Sequence, residues 1–429
     1  MDWKIKPSKG LRGEIKVPAD KSISHRAVMF GSIAKGEMRV TNFLPGEDCM
    51  RTLEAFRSLG IKIGMEGTTV TIQGKGLKGL TAPKGPLYMG NSGTSMRIIS
   101  GILAAQPFTS ILTGDGSLSK RPMKRVIEPL KEMGAEIISK EGGVAPLEIR
   151  GKKVPLKAVD YRSPVASAQV KSCVLAAGLY ASGTTSVTEP FQSRDHTERM
   201  LEYFSAGIKR EGLTTKITGL KELTARDIDV PGDISSAAFF MIAGLLVPGS
   251  DVTLRDVGIN KTRRGILDVL NRMGANIDIL DVNDTFEPKA NIRVRAGALK
   301  GTVIKEEEIP LLIDEIPILV IAASMAQGRT IINGIGELKV KETDRVASMT
   351  AGLAKMGITA VKESGNSLVI DGGTKKFHAA SLDSLGDHRT AMSFAIASLL
   401  ADGECEIKDT DCVNTSYPNF IEHLKKLSL

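Results

Sequence analysis

The residues able to do chemistry gather in a few short polar segments. Asp20-Lys21-Ser22-Ile23-Ser24-His25-Arg26 sets Lys and Arg among hydroxyls, and Gly90-Asn91-Ser92-Gly93-Thr94-Ser95-Met96-Arg97 adds glycines. Ser163-Pro164-Val165-Ala166-Ser167-Ala168-Gln169, Ile313-Asp314-Glu315 and Gly386-Asp387-His388-Arg389 have the same polar character. A second set reads Lys120-Arg121-Pro122-Met123, Ser193-Arg194-Asp195-His196 and Lys341-Glu342-Thr343-Asp344-Arg345. Cations beside Ser, Thr and Gly are what phosphate and carboxylate binding requires, because guanidinium forks, hydroxyls and backbone N–H groups grip such anions. Asp314 and Glu342 add carboxylates that could move protons. Taken singly, each segment is a helix cap or a surface salt-bridge run. Cations at a helix N-terminus oppose its dipole, however, and such local rule-breaking favours a place where an anion binds.

One repeated unit positions these segments. Six times a polar loop leads into an almost wholly apolar helix and then a β-branched strand. The helices read His25–Ala34, Ser95–Gln106, Ala168–Ala181, Ser235–Val247, Pro317–Ala326 and Thr390–Ala401. The strands read Met38–Phe43, Thr109–Thr113, Thr185–Thr188, Val252–Leu254, Thr330–Ile332 and Glu406–Lys408. Helices apolar on every side belong in a core. Amphipathic helices alternate with them, over Arg51–Gly60, Arg125–Gly134, Arg199–Gly207, Arg264–Gly274 and Arg345–Gly357, and strand pairs follow that often close on Gly, as at Gly74, Gly151 and Gly372. These glycines read as caps with positive φ. Four apolar-helix starts, with Lys21, Arg26, Arg97 and Arg389 beside them, therefore point to a convergent anion site. The fourth start, Gly232-Asp233-Ile234-Ser235-Ser236, carries no cation and reads as structural.

The sixth copy stops early, at Phe420–Leu429, and the strands Asp2–Ile5 and Gly13–Val17 can supply what it lacks. The map is thus one domain over 21–229 and a discontinuous one over 1–20 and 230–429, with the active site in the interdomain cleft.

Composition narrows the function. At 429 residues the chain is too long for one core, and 42% hydrophobic with 25% charged residues is ordinary for a globular protein. A net charge of +8 favours an anionic partner, while 4% aromatic residues argue against base-stacking nucleic-acid modules. Cys49, Cys173, Cys405 and Cys412 lack metal spacing and read as free thiols of a cytoplasmic protein. No apolar run is long enough to span a membrane, and no His or Cys pattern suggests a metal. The phosphate loops of nucleotide folds and the GxSxG elbow are missing.

The five segments at 20–26, 90–97, 120–123, 341–345 and 387–389 resemble, in order and along the whole chain, those of the 5-enolpyruvylshikimate-3-phosphate synthase family (3-phosphoshikimate 1-carboxyvinyltransferases). The resemblance implies an α/β fold of two domains, each of three βαβαββ repeats with helices packed inside, an inverse α/β barrel. It implies transfer of the enolpyruvyl group from phosphoenolpyruvate to the 5-hydroxyl of shikimate 3-phosphate, a step of the shikimate pathway, with no cofactor. By the same resemblance Lys21, Ser22, Arg26, Ser167, Ala168, Gln169, Arg194, Asp314 and Lys341 hold shikimate 3-phosphate. Lys21, Gly93, Arg121, Gln169, Arg345, His388 and Arg389 hold phosphoenolpyruvate. Asp314 is the base for the hydroxyl and Glu342 serves the methyl carbon, with Lys21 and Lys341 as proton-carrying neighbours. Ala168, Ile98 and Thr415 depart from the best-known form of the family and resemble its divergent bacterial class II branch. The expected partners are the two small-molecule substrates, with no nucleic acid and no membrane, and the expected state is a monomer. UDP-N-acetylglucosamine enolpyruvyl transferases share the fold, but Gly116 stands where that family has a reactive Cys. An RNA-binding protein on a related repeat fold fits the basic charge but lacks the aromatic platform.

Overall fold

A computed structural model describes residues 1–151 and 155–429. The chain divides into two compact units, Ala19–Val230 and Met1–Pro18 with Pro231–Leu429. Each unit holds three copies of the repeat.

The six apolar helices are Lys21–Ile33, Gly93–Leu103, Ala168–Gly178, Ile234–Leu246, Ile316–Met325 and His388–Ser398. In Ile234–Leu246 every residue up to Leu245 is buried, as its unbroken apolar run requires. It packs against Ile316–Met325 and His388–Ser398, which also meet each other. Phe239 and Phe240 lie in the core of this unit beside Tyr417 and Phe420. Full burial of side chains of this size contributes roughly 1.5–3 kcal/mol each.

Around these helices lie the sheets. In the first five copies the strand after the apolar helix pairs antiparallel with a hairpin strand, as Thr109–Thr113 does with Val144–Arg150. On its other side it takes a parallel strand. Leu87–Tyr88, Asp160–Arg162, Val303–Ile304 and Ser381–Asp383 fill that role in copies two, three, five and six. Copies one and four exchange theirs. Arg12–Lys16, which precedes the first helix, pairs with Asp251–Gly258 of copy four, while Ile228–Asp229, which precedes the fourth helix, pairs with Ala34–Thr41 of copy one.

This exchange corrects one expectation. Trp3–Ile5 does complete the sixth copy, antiparallel to Cys405–Lys408 with Trp3 opposite Ile407. The second N-terminal strand does not join it. The sixth sheet already has Ser381–Asp383 on its other edge, and Arg12–Lys16 covers the open edge of the fourth sheet instead.

The closing glycines also differ from expectation. Gly60 ends an amphipathic helix at φ 87°, as a left-handed cap should. Gly74 is not such a cap. A Cβ there would lie 2.3 Å from the carbonyl oxygens of both Gly31 and Ala34, so the hairpin can pass the end of the apolar helix only without a side chain.

Candidate active site

Helix capping sets the start of each apolar helix. Asp20 Oδ1 accepts from the Ile23 amide at 2.9 Å, Ser92 Oγ from Ser95 at 3.1 Å and Ser167 Oγ from Val170 at 3.4 Å. Asp233 and Asp387 do the same for the fourth and sixth helices. Five helices therefore begin at their caps, and in copies one, two, four and six this is earlier than the apolar pattern indicates. Lys21, Ser22 and Gly93 fall inside first turns, with the N–H groups that lack a partner in the helix.

In the unit Ala19–Val230, Lys21 Nζ lies 3.2 Å from Asp48 Oδ2. Arg26 is buried and held on three sides. Its Nε donates to Thr197 Oγ1 at 2.7 Å, one terminal nitrogen to Ser172 Oγ at 2.8 Å and the other to the Ser22 carbonyl at 3.0 Å. Arg97 donates to Gln169 Oε1 at 2.6 Å, and Gln169 Nε2 donates to Thr94 Oγ1 at 2.9 Å, joining the second and third helix starts. Arg121 reaches the Asn91 carbonyl at 3.5 Å. A Cβ on Gly93 would sit 2.8 Å from an Arg97 terminal nitrogen and 3.2 Å from one of Arg121. Gly93 thus lets two guanidinium groups close on one backbone.

His25 is fully buried. Its Nδ1 lies 2.7 Å from Thr52 Oγ1, which is 2.6 Å from Ser95 Oγ. Burial first, then the charges of Lys21 and Arg26, push its pKa well below the ordinary value, so the ring is neutral. His25 ties two helix starts together as a structural residue.

The second cluster belongs to the unit Met1–Pro18 with Pro231–Leu429, and its centre is Arg345. The guanidinium is buried and donates to Asp387 Oδ2 at 2.8 Å, Asp314 Oδ1 at 3.1 Å and Glu342 Oε2 at 2.7 Å. Burial alone would lower its pKa, but the charges of Asp387, Glu342 and Asp314 outweigh that and raise it. Burial pushes Asp387 up, yet Arg345 holds its carboxyl below the usual range. Arg389 donates to the Asp314 carbonyl at 3.1 Å. Of the sequence candidates in this unit, Asp314, Glu342, Arg345 and Arg389 share one cluster. His388 follows its cap Asp387 and is buried, and Lys341 immediately precedes Glu342.

The fourth helix start is not free of cations. Arg263, which the motifs did not single out, is buried beside it, 3.2 Å from Asp233 Oδ1 and 2.9 Å from Glu315 Oε1, and donates to Ser235 Oγ. It bridges the starts of helices four and five just as Arg345 bridges those of five and six. Thr197, Ser172, Thr52 and Asp48 were missed for the same reason: each is a small or common residue whose role appears only when two elements meet. Lys171 did carry a signal, since a lysine inside a wholly apolar helix demands buried carboxylates. It has them, with Glu189 and Glu198 each 2.7 Å from Nζ. Among the described residues no group of His, Cys, Asp and Glu converges as metal ligands would.

Comparison with known proteins identifies the family. The model of the family described as EPSP synthase (3-phosphoshikimate 1-carboxyvinyltransferase) matches residues 5–424. The 3-phosphoshikimate 1-carboxyvinyltransferase of Geotalea uraniireducens (strain Rf4) is 52% identical over 428 residues, 99% of each chain. An EPSP synthase structure from Acinetobacter baumannii superposes with a TM-score of 0.90 at 46% identity, covering 100% of this chain and 98% of that one. The enolpyruvyl transferase NikO from Streptomyces tendae, 17% identical with a TM-score of 0.80 over 99% of this chain and 96% of its own, shares the fold. The repeats, the arginine clusters and these matches along nearly the whole length have one meaning: the chain belongs to the EPSP synthase (3-phosphoshikimate 1-carboxyvinyltransferase) family.

Proposed function

We propose that this protein transfers the enolpyruvyl group of phosphoenolpyruvate to the 5-hydroxyl of shikimate 3-phosphate, releasing phosphate. The reaction is addition followed by elimination. The hydroxyl oxygen bonds to C2 of phosphoenolpyruvate and gives up its proton, while C3 gains one. Loss of a C3 proton and cleavage of the C2–O bond to phosphate then leave the enol ether. Asp314 takes the hydroxyl proton, and Glu342 delivers and retrieves the proton at C3, with Lys21 and Lys341 as proton-carrying neighbours.

The observation that carries this reading is the convergence of Asp314 and Glu342 on one buried guanidinium. Arg345 holds in place two carboxylates that must act in sequence. In this reading Ser22, Arg26, Ser167, the Ala168 backbone, Gln169 and Arg194 hold shikimate 3-phosphate, together with Lys21, Asp314 and Lys341. Gly93, Arg121, Arg345, His388 and Arg389 hold phosphoenolpyruvate, with Lys21 and Gln169. Two phosphates and two carboxylates account for so many cations at helix starts. The protein acts as a monomer without nucleic-acid or membrane partners, in the cytoplasm, whose reducing conditions suit its four free cysteines.

Phosphate release from phosphoenolpyruvate, measured with and without shikimate 3-phosphate, tests the activity. Release that ignores shikimate 3-phosphate would refute it. Asp314→Ala with turnover near the parent's would refute the assignment of the base.

A further inference from the structure

Arg26 does not orient itself. Its three donor contacts, to Thr197, Ser172 and the Ser22 carbonyl, are set by its own helix and by two others, Ala168–Gly178 and His196–Tyr203. Thr197 Oγ1 and Ser172 Oγ are 2.6 Å apart, so the two hydroxyls act as one acceptor edge against the guanidinium. All three side chains are buried, where a donor left without its acceptor is costly. The residues next to them lock the two helices together. Lys171 precedes Ser172, Glu198 follows Thr197, and Lys171 Nζ lies 2.7 Å from both Glu198 and Glu189. An ammonium, a guanidinium and their acceptors therefore form a single buried seam between the helices.

We propose that Thr197 and Ser172 are positioning residues for the enolpyruvyl transfer: they set the plane of the Arg26 guanidinium so that it meets the carboxylate of shikimate 3-phosphate in register. The Lys171–Glu198 pair keeps their two helices in place. This rests on Arg26 being the carboxylate ligand, as proposed above. A planar fork grips a carboxylate by geometry as well as charge, so a tilted guanidinium keeps its charge but loses its discrimination.

The test is steady-state kinetics on the full-length enzyme with Thr197→Val, Ser172→Ala and Thr197→Ser, varying each substrate in turn. Thr197→Val and Ser172→Ala should raise KM for shikimate 3-phosphate roughly tenfold or more, the effect of one hydrogen bond to a charged group. KM for phosphoenolpyruvate should stay within about twofold, since Arg26 makes no contact with that substrate in this reading. Thr197→Ser, which keeps the hydroxyl, should restore the parent KM. An analogue with hydroxymethyl in place of the carboxylate should lose less to Thr197→Val than the substrate does. Equal rises for both substrates, or failure of Thr197→Ser to rescue, would overturn the proposal. Arg26→Lys separates the two layers. If it too leaves shikimate 3-phosphate unaffected, the assignment of Arg26 is wrong. If it raises that KM while Thr197→Val and Ser172→Ala do not, the positioning role is wrong.

Discussion

Replacing Arg263 by Met takes the guanidinium away from Glu315 and Asp233, which lie 2.9 and 3.2 Å from it and are themselves buried. Methionine fills a similar volume, so the loss is electrostatic rather than a cavity. Removing one partner of a buried ion pair costs about 3–5 kcal/mol, because the remaining charge stays out of water. The compact unit concerned has about 200 residues, and at that size 1 kcal/mol shifts the melting midpoint by about 2–4 °C. Arg263→Met should therefore melt roughly 6–20 °C below the parent by calorimetry. The double variant Arg263→Met/Glu315→Gln discriminates further. Once the stranded charge is also removed, the loss should be smaller than for Arg263→Met alone, since neighbours in one network are not additive. A single-variant midpoint within about 2 °C of the parent would refute the claim that this arginine holds the two helix starts together.

Three other outcomes follow from the geometry. Gly93→Ala places a methyl group 2.8 Å from Arg97 and 3.2 Å from Arg121. Its KM for phosphoenolpyruvate should rise at least about tenfold with little change in Tm, because both neighbours are flexible side-chain ends. Arg345→Lys keeps the charge but cannot serve Asp387, Asp314 and Glu342 through a planar fork. Losing one or two such bonds, at about 1.5–3 kcal/mol each, should cut kcat/KM by a factor of about ten to ten thousand, and single-turnover kinetics would check this. For His25 the folded pKa lies below the unfolded one, near 6.5, so the unfolded chain binds the proton first. Its contribution to stability is full above about pH 6.5 and falls below it, by at most about 1.4 kcal/mol per pH unit. Urea titrations should show that slope, and His25→Gln should flatten it.

Much of this was legible in the sequence because the repeat has a strong period. The β-branched run Thr109–Thr113 coincides with its strand to the residue, and all six apolar helices lie where their runs of Ala, Ile, Leu and Val put them. Hydropathy places most starts late because it begins after the cap. Asp20 and Ser92 set the true first turn, and they are polar. The exchange of Arg12–Lys16 and Ile228–Asp229 could not be read, since either strand satisfies either sheet and only spatial adjacency decides. Asp314, Glu342, Arg345 and Arg389, which the structure brings into one cluster, stand out in the sequence because they are charged residues at the edges of an apolar repeat. Arg263 was not, because its partners are a cap in one copy and a loop residue in the next.

The pairing of the first strands sets an order of assembly. Trp3–Ile5 and Arg12–Lys16 precede all six repeats in sequence, yet their partners are Cys405–Lys408 and Asp251–Gly258. The segment Ala19–Val230 contains all its own strand partners and can fold while it is being made. The opening strands must instead remain unpaired until the fourth and sixth repeats emerge, so the closing contacts of the molecule span almost its entire length. Contacts of such high order are slow to form, which makes docking of these two strands a natural last step in folding.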